Sequence, residues 1–95
     1  MTKKSKQLAV ITVIGKDKVG IVAKITNFLA KNSINIEEIS QNVMRGIFTM
    51  VLLVDLEKSS LSISELSKKL EKTGKQIGMD VHVHDENIIR AMHRV

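Results

Sequence analysis

Two short segments are apolar at almost every position, and they constrain the fold more than any other feature of the chain. They are LAVITVI, residues 8–14, and IFTMVLLVDL, residues 47–56. A strand that is apolar on both parities is covered on both faces, so each segment is predicted to lie in the interior of a sheet. Both faces of that sheet therefore need a cover.

Two other segments have the mixed pattern of edge strands. In INIEEISQNVM, residues 34–44, the apolar side chains change parity near Glu37, which predicts a β-bulge. Arg45 and Gly46 are then predicted to form the tight turn of a hairpin with the apolar strand that follows. The segment MDVHVHD, residues 79–85, alternates strictly, as expected for a half-exposed strand at an edge.

Two segments have the apolar spacing of amphipathic helices. The first begins after Gly20 and is predicted to end at Asn32, a residue that tolerates the left-handed conformation. The second begins with Ser62 and Glu65, which have the spacing of a capping box, and ends at Gly78. A shorter apolar pattern in residues 86–95 predicts a C-terminal helix.

The predicted order of elements is β-α-β-β-α-β followed by the short C-terminal helix. This order predicts an α+β, ferredoxin-like fold, in which both main helices cover one face of a four-stranded antiparallel sheet. The first and third strands are central in that fold, as their apolar patterns require. The second face remains apolar, and we expect either the C-terminal helix or a partner subunit to cover it.

Composition narrows the domain organisation and the cellular setting. With 95 residues and 43% hydrophobic residues, we expect a flexible basic segment over residues 1–7 and one domain over residues 8–95. The chain has no cysteine, which excludes disulfides and thiolate metal sites and favours a cytoplasmic protein. No segment is long and apolar enough to be predicted to cross a membrane.

Charge and side-chain chemistry argue against several functions. The net charge of +5 is spread over all polar segments, and with only two aromatic residues we expect no nucleic-acid partner. No nucleophile-and-base pair stands out, so we expect no catalysis and no cofactor. His82 and His84 share one face of the fourth predicted strand, but a metal site would need a third ligand, and we predict solvated histidines instead.

Two glycines bracket the stretch between the first strand and the first helix. Gly15 ends the strand and Gly20 opens the helix, and the second glycine suggests that something approaches the backbone at the helix start. The stretch IGKDKVGIVAKITNFLAKNSINIEEISQ resembles the start of ACT domains, which are small amino-acid-sensing regulatory modules. Residues 8–93 as a whole are similar to the stand-alone ACT-domain proteins of prokaryotes.

This resemblance implies a homodimer with a small ligand, expected to be an amino acid, at the subunit interface. In ligand-binding ACT domains, the loop after the first strand lies against the second strand of a neighbouring copy. The implied ligand-binding residues are Asp17, Lys18, Val19 and Gly20 from one copy and Asn35 and Ile36 from the other.

Two alternatives remain open from the residues alone. Gly20 and Asp17 can serve the helix start, and Asn35 a turn, without any ligand. The chain can also be an interaction module that binds a partner enzyme or regulator without a small molecule.

Overall fold

A four-stranded antiparallel sheet carries both helices on one face. The computed structural model describes residues 7–16, 20–85 and 87. The strands lie in the order β2-β3-β1-β4, which confirms the ferredoxin-like fold and the central position of the two apolar strands. In chain order, the elements are β1 (Leu8–Lys16), α1 (Ile21–Lys31), β2 (Asn35–Met44), β3 (Ile47–Asp55), α2 (Ile63–Ile77) and β4 (Asp80–Asp85).

Two predictions concern the ends of the chain, which lie almost entirely outside the described residues. The predicted C-terminal helix over residues 86–95 lies outside the described residues apart from Asn87. The same holds for the predicted basic segment over residues 1–7, apart from Gln7.

The core lies between the sheet and the two helices. Alternate residues of the central strands point into it and are fully buried against the apolar sides of the helices. The remaining side chains of these strands point to the opposite face of the sheet, which we call the open face. From β1 and β3, the open face contains Leu8, Val10, Thr12, Ile14, Lys16, Ile47, Thr49, Val51, Leu53 and the buried Asp55.

The β2–β3 hairpin has the irregularities that its sequence predicts. The register of the pairing shifts between Ile36 and Glu38, which confirms the bulge. Arg45 and Gly46 have φ angles of 53° and 79°, the left-handed pair that a tight hairpin turn requires.

The end of α1 differs from the prediction. Asn32 has a φ of −103°, so its assignment as a left-handed residue is wrong, and Ser33 adopts that conformation instead with a φ of 59°. The Nδ2 of Asn32 donates a hydrogen bond to the carbonyl of Phe28 at 2.9 Å. The side-chain amide of Asn32 therefore caps the last turn of α1.

The start of α2 is held by the predicted capping box. The backbone N–H of Glu65 donates to Ser62 Oγ at 3.1 Å, and the backbone N–H of Ser62 donates to Glu65 Oε1 at 2.9 Å. That second bond is the main reason that the pKa of Glu65 lies below its ordinary value of 4.5.

Ser62→Ala is expected to lower the free energy of unfolding by about 1 kcal/mol, because it leaves the N–H of Glu65 without its acceptor. The folded state lowers the pKa of Glu65, so the ionised carboxylate of Glu65 stabilises the folded protein at neutral pH. This stabilisation is lost as the pH falls below 4.5 and the carboxylate takes up a proton. Urea unfolding of the wild type and of Ser62→Ala at several pH values measures both free energies of unfolding. A stability of Ser62→Ala equal to that of the wild type would contradict the prediction.

Candidate functional site

The two glycines that bracket the first loop serve two different requirements. A Cβ at Gly15 would collide with the Sδ of Met79 and lie 3.0 Å from its Cε, so this glycine allows close packing. Gly20 has a φ of 86°, a left-handed conformation that strongly favours glycine. Among the described residues, a Cβ at Gly20 would meet nothing within 4 Å, so none of them fills the space in front of this backbone.

The start of α1 offers backbone donors to an anion. The first N–H groups of a helix have no intrahelical acceptor, and the helix dipole favours negative charge there. Within the described residues, Gly20 provides no side-chain cap, and the first turn contains no acidic residue. A carboxylate would fit this end of the helix. Asp17, Lys18 and Val19, which belong to the same predicted site, lie outside the described residues.

Asn35 is the first residue of β2 and is exposed to solvent. Its Nδ2 donates to Glu37 Oε2 at 2.8 Å, which leaves the side-chain carbonyl as an acceptor. Ile36, the next residue, is half-buried and packs against the core. The side chain of Ile36 therefore serves the fold.

A cavity beside Asn35 contains charged groups that the sequence did not reveal as a site. It is lined by Ser33, Asn35, Asp55, Glu57 and Lys58. The buried Asp55 holds this corner together, because its Oδ1 accepts the backbone N–H groups of Gln7 and Glu57, both at 3.0 Å. These residues come from two separate connections of the chain, so no contiguous motif could have identified them.

Gly20 and Asn35 are not brought together within one chain. Asn35 pairs with Asp55, and Asp55 pairs with Leu8 at the start of β1. Gly20 follows the other end of this strand, and the nine residues of β1 place the two ends about 26 Å apart at about 3.3 Å per residue. A site that uses both residues therefore requires two chains.

The second strand is the exposed edge of the sheet nearest to α1. Ile39 and Val43 pair with the buried Leu52 and Phe48, so they point to the helix side of the sheet. They are nevertheless 44% and 53% exposed, because α1 does not extend over them. In the described sheet, β2 is the outermost strand on this side, so an apolar strip lies beside a strand edge there.

The described part of the chain shows neither a metal site nor a membrane-spanning helix. The rings of His82 and His84 lie 6.5 Å apart between centroids, but no group of three histidine, aspartate or glutamate residues there could hold a metal ion. Neither of the two described helices has the length and apolar character needed to span a membrane.

A known protein family and individual known proteins resemble this chain over nearly its whole length. The sequence profile of the ACT domain matches residues 7–84. A UPF0237 protein from Methanopyrus kandleri is 52% identical over 87 residues, which cover 92% of this chain and 97% of that protein.

Solved structures show the same similarity. An ACT domain protein from Streptococcus pneumoniae matches with a TM-score of 0.79 and 32% identity, covering 90% of this chain and 96% of that one. A formyltetrahydrofolate deformylase from Pseudomonas syringae matches with a TM-score of 0.79 and 24% identity, over 87% of this chain and 28% of that one. This second similarity concerns the fold alone.

Proposed function

Since this chain belongs to the ACT-domain family, we propose that it is a regulatory domain without catalytic activity that binds an amino acid between two copies of itself. The loop before α1 of one copy and the start of β2 of the other would form the site. The proposed setting is the cytoplasm, where the bound state would be read by a partner enzyme or regulator.

The exposed edge at β2 is the observation that carries this proposal. Ile39 and Val43 are apolar, lie on the helix side and have no cover from α1. A second copy that packs there buries both residues and brings its own helix start toward β2. The separation of Gly20 and Asn35 within one chain agrees with a site shared by two copies.

The polar groups at the two halves suit a free amino acid. Its carboxylate would accept hydrogen bonds from the backbone N–H groups after Gly20, where the helix dipole favours negative charge. Its ammonium group would donate to the side-chain carbonyl of Asn35 or to a carboxylate such as Glu57 in the adjoining cavity. These groups can bind an amino acid without a catalytic side chain, which fits a regulatory domain.

A thermal-denaturation screen of the twenty amino acids tests the proposal. At about a hundred times its dissociation constant, a true ligand should stabilise the folded protein by roughly 2.7 kcal/mol. For a domain of this size, that raises the melting temperature by roughly ten degrees or more. Because the chain has no tryptophan or tyrosine, circular dichroism or a dye must report unfolding.

Calorimetry on any ligand found in the screen should then give one site for each chain. If none of the twenty amino acids shifts the melting temperature, the proposed ligand is wrong. The alternative, an interaction module that acts without a small molecule, is then the better account, and capture of a partner enzyme from native extract becomes the next experiment.

A further inference from the structure

We propose that the open face of the sheet binds the open face of a second copy of this chain, at an interface distinct from the one at β2. The proposal does not depend on amino-acid binding. It rests on the apolar surface of this face and on the chemistry of its two edges.

Several large apolar side chains of the open face are accessible to solvent. Ile14, Val51, Ile47 and Met44 are 45%, 42%, 52% and 65% exposed. Their combined exposed surface is roughly 400 Å², the size of the largest apolar patch on a typical monomeric protein, and such patches are often functional. The residues belong to adjoining strands, because Met44 pairs with Ile47 in the β2–β3 hairpin.

The residues that flank this apolar strip differ between the two edges of the sheet. Cross-strand partners point to the same face, so β2 contributes Glu38, Ser40 and Asn42 to the open face. The opposite edge, β4, contributes His84, His82 and Asp80. The register aligns Glu38 and His84 in one row across the sheet, with Leu53 and Val10 between them.

A two-fold axis parallel to the strands makes this face complementary to itself. Such an axis between β1 and β3 places β2 of one copy over β4 of the other. The carboxylate of Glu38 then meets the imidazole of the other copy's His84, and the amide of Asn42 meets the carboxylate of Asp80. On the central strands, Leu53 then lies opposite Val10, while Val51 and Ile14 lie opposite Thr12 and Thr49. Ile47 lies opposite Lys16, and no two like charges face across the interface.

The area of the face is sufficient for an interface between two copies. The strands lie about 4.8 Å apart, and their lengths range from about 20 Å for the six residues of β4 to about 33 Å for the ten residues of β2. Two such faces bury roughly 1,000 Å² in total when they meet, which is the lower limit for a specific interface. The sheets would pack at the aligned angle that is usual for two stacked sheets.

Val51→Lys tests the interface directly, because it places a charge at the centre of the open face without touching the buried core. Light scattering at micromolar concentration should show the mass of the assembly reduced to half. Ser64→Lys, at an exposed position of α2, is the matched control and should leave the mass unchanged. The halving is expected whether or not the β2 interface exists, and Ile39→Lys reports on that interface separately.

An exchange of the paired residues tests the orientation and does not depend on the lysine variant. His84→Glu alone places two carboxylates opposite each other and should weaken the association at least tenfold. The double variant Glu38→His and His84→Glu restores one carboxylate opposite each imidazole and should recover the wild-type mass. A double variant that stays dissociated would overturn the proposed orientation.

The remaining outcomes identify other covers for the open face. If Val51→Lys keeps the wild-type mass but melts at a lower temperature, the face is covered by the chain's own residues 86–95, and the proposal is overturned. If Val51→Lys changes neither the mass nor the melting temperature, the open face binds nothing under these conditions and the proposal is equally wrong.

Discussion

Gly74→Val is expected to lower the free energy of unfolding by at least about 3 kcal/mol, the upper range for overpacking a core. Gly74 lies in α2 and is buried, at the point where this helix crosses the start of β4. A Cβ on Gly74 would lie 2.6 Å from Val81 Cγ2 and 2.9 Å from the carbonyl oxygen of Met79. The two added methyl groups of valine would extend further into the same space.

The contact at Gly74 has no easy way to relax. The backbone N–H of Met79 donates to the carbonyl of Gly74 at 2.8 Å, which holds the two segments together. One colliding atom belongs to the backbone, and the other belongs to Val81, a β-branched residue with restricted rotamers. The helix would have to move away from β4, and the buried contacts of Leu70 in the same helix would loosen with it.

Urea unfolding or calorimetry measures the effect, which corresponds to a melting temperature at least about twelve degrees lower. Gly15→Ala is the control, because its Cβ would meet the flexible end of the Met79 side chain, while the carbonyl oxygen of Gly78 lies at an ordinary contact distance of 3.5 Å. That side chain can change rotamer, so the control should lose much less stability. Equal losses in the two variants would contradict the conclusion that the contact of Gly74 with Val81 and the Met79 backbone cannot relax.

The arrangement of the sheet could be predicted from the sequence because it follows from local patterns. The two strands that are apolar on both parities are the central ones, and the parity change near Glu37 marks the bulge in the edge strand. The capping box of Ser62 and Glu65 was also predictable, since both partners lie within one turn of α2.

Features that depend on packing between distant segments could not be predicted. Gly74 reads in the sequence as an unfavourable residue within a helix, and its reason is the approach of Val81 and Met79. At the end of α1, asparagine and serine both tolerate a turn, and the structure has Asn32 bonded to Phe28 and Ser33 in the left-handed conformation.

The candidate site was predictable only in part. Gly20 and Asn35 were identified through the resemblance to ACT domains, whereas Asp55, Glu57 and Lys58 meet Asn35 only after folding. Because the site is proposed to span two chains, neither the sequence nor one folded copy displays it whole.

Two substitutions are expected to abolish or strongly weaken amino-acid binding. Gly20→Asp places a carboxylate at the helix start, where it competes with and repels the ligand's carboxylate, and aspartate tolerates the left-handed conformation. Asn35→Ala removes a ligand partner and should weaken binding by roughly 1 to 3 kcal/mol. The matched controls are Gly46→Asp, at a second open left-handed glycine with a φ of 79°, and Asn27→Ala, at an exposed position of α1.

Mixing the two defective variants tests most directly whether the site is shared between copies. In a mixed dimer, one site combines both defects, and the other combines the intact Gly20 of one chain with the intact Asn35 of its partner. Random exchange makes half of the dimers mixed, with one of their two sites intact, so calorimetry on the mixture should recover about a quarter of the wild-type sites. Each variant alone should show no site of wild-type affinity. A mixture that forms mixed dimers but recovers no such site would contradict a binding site between two copies.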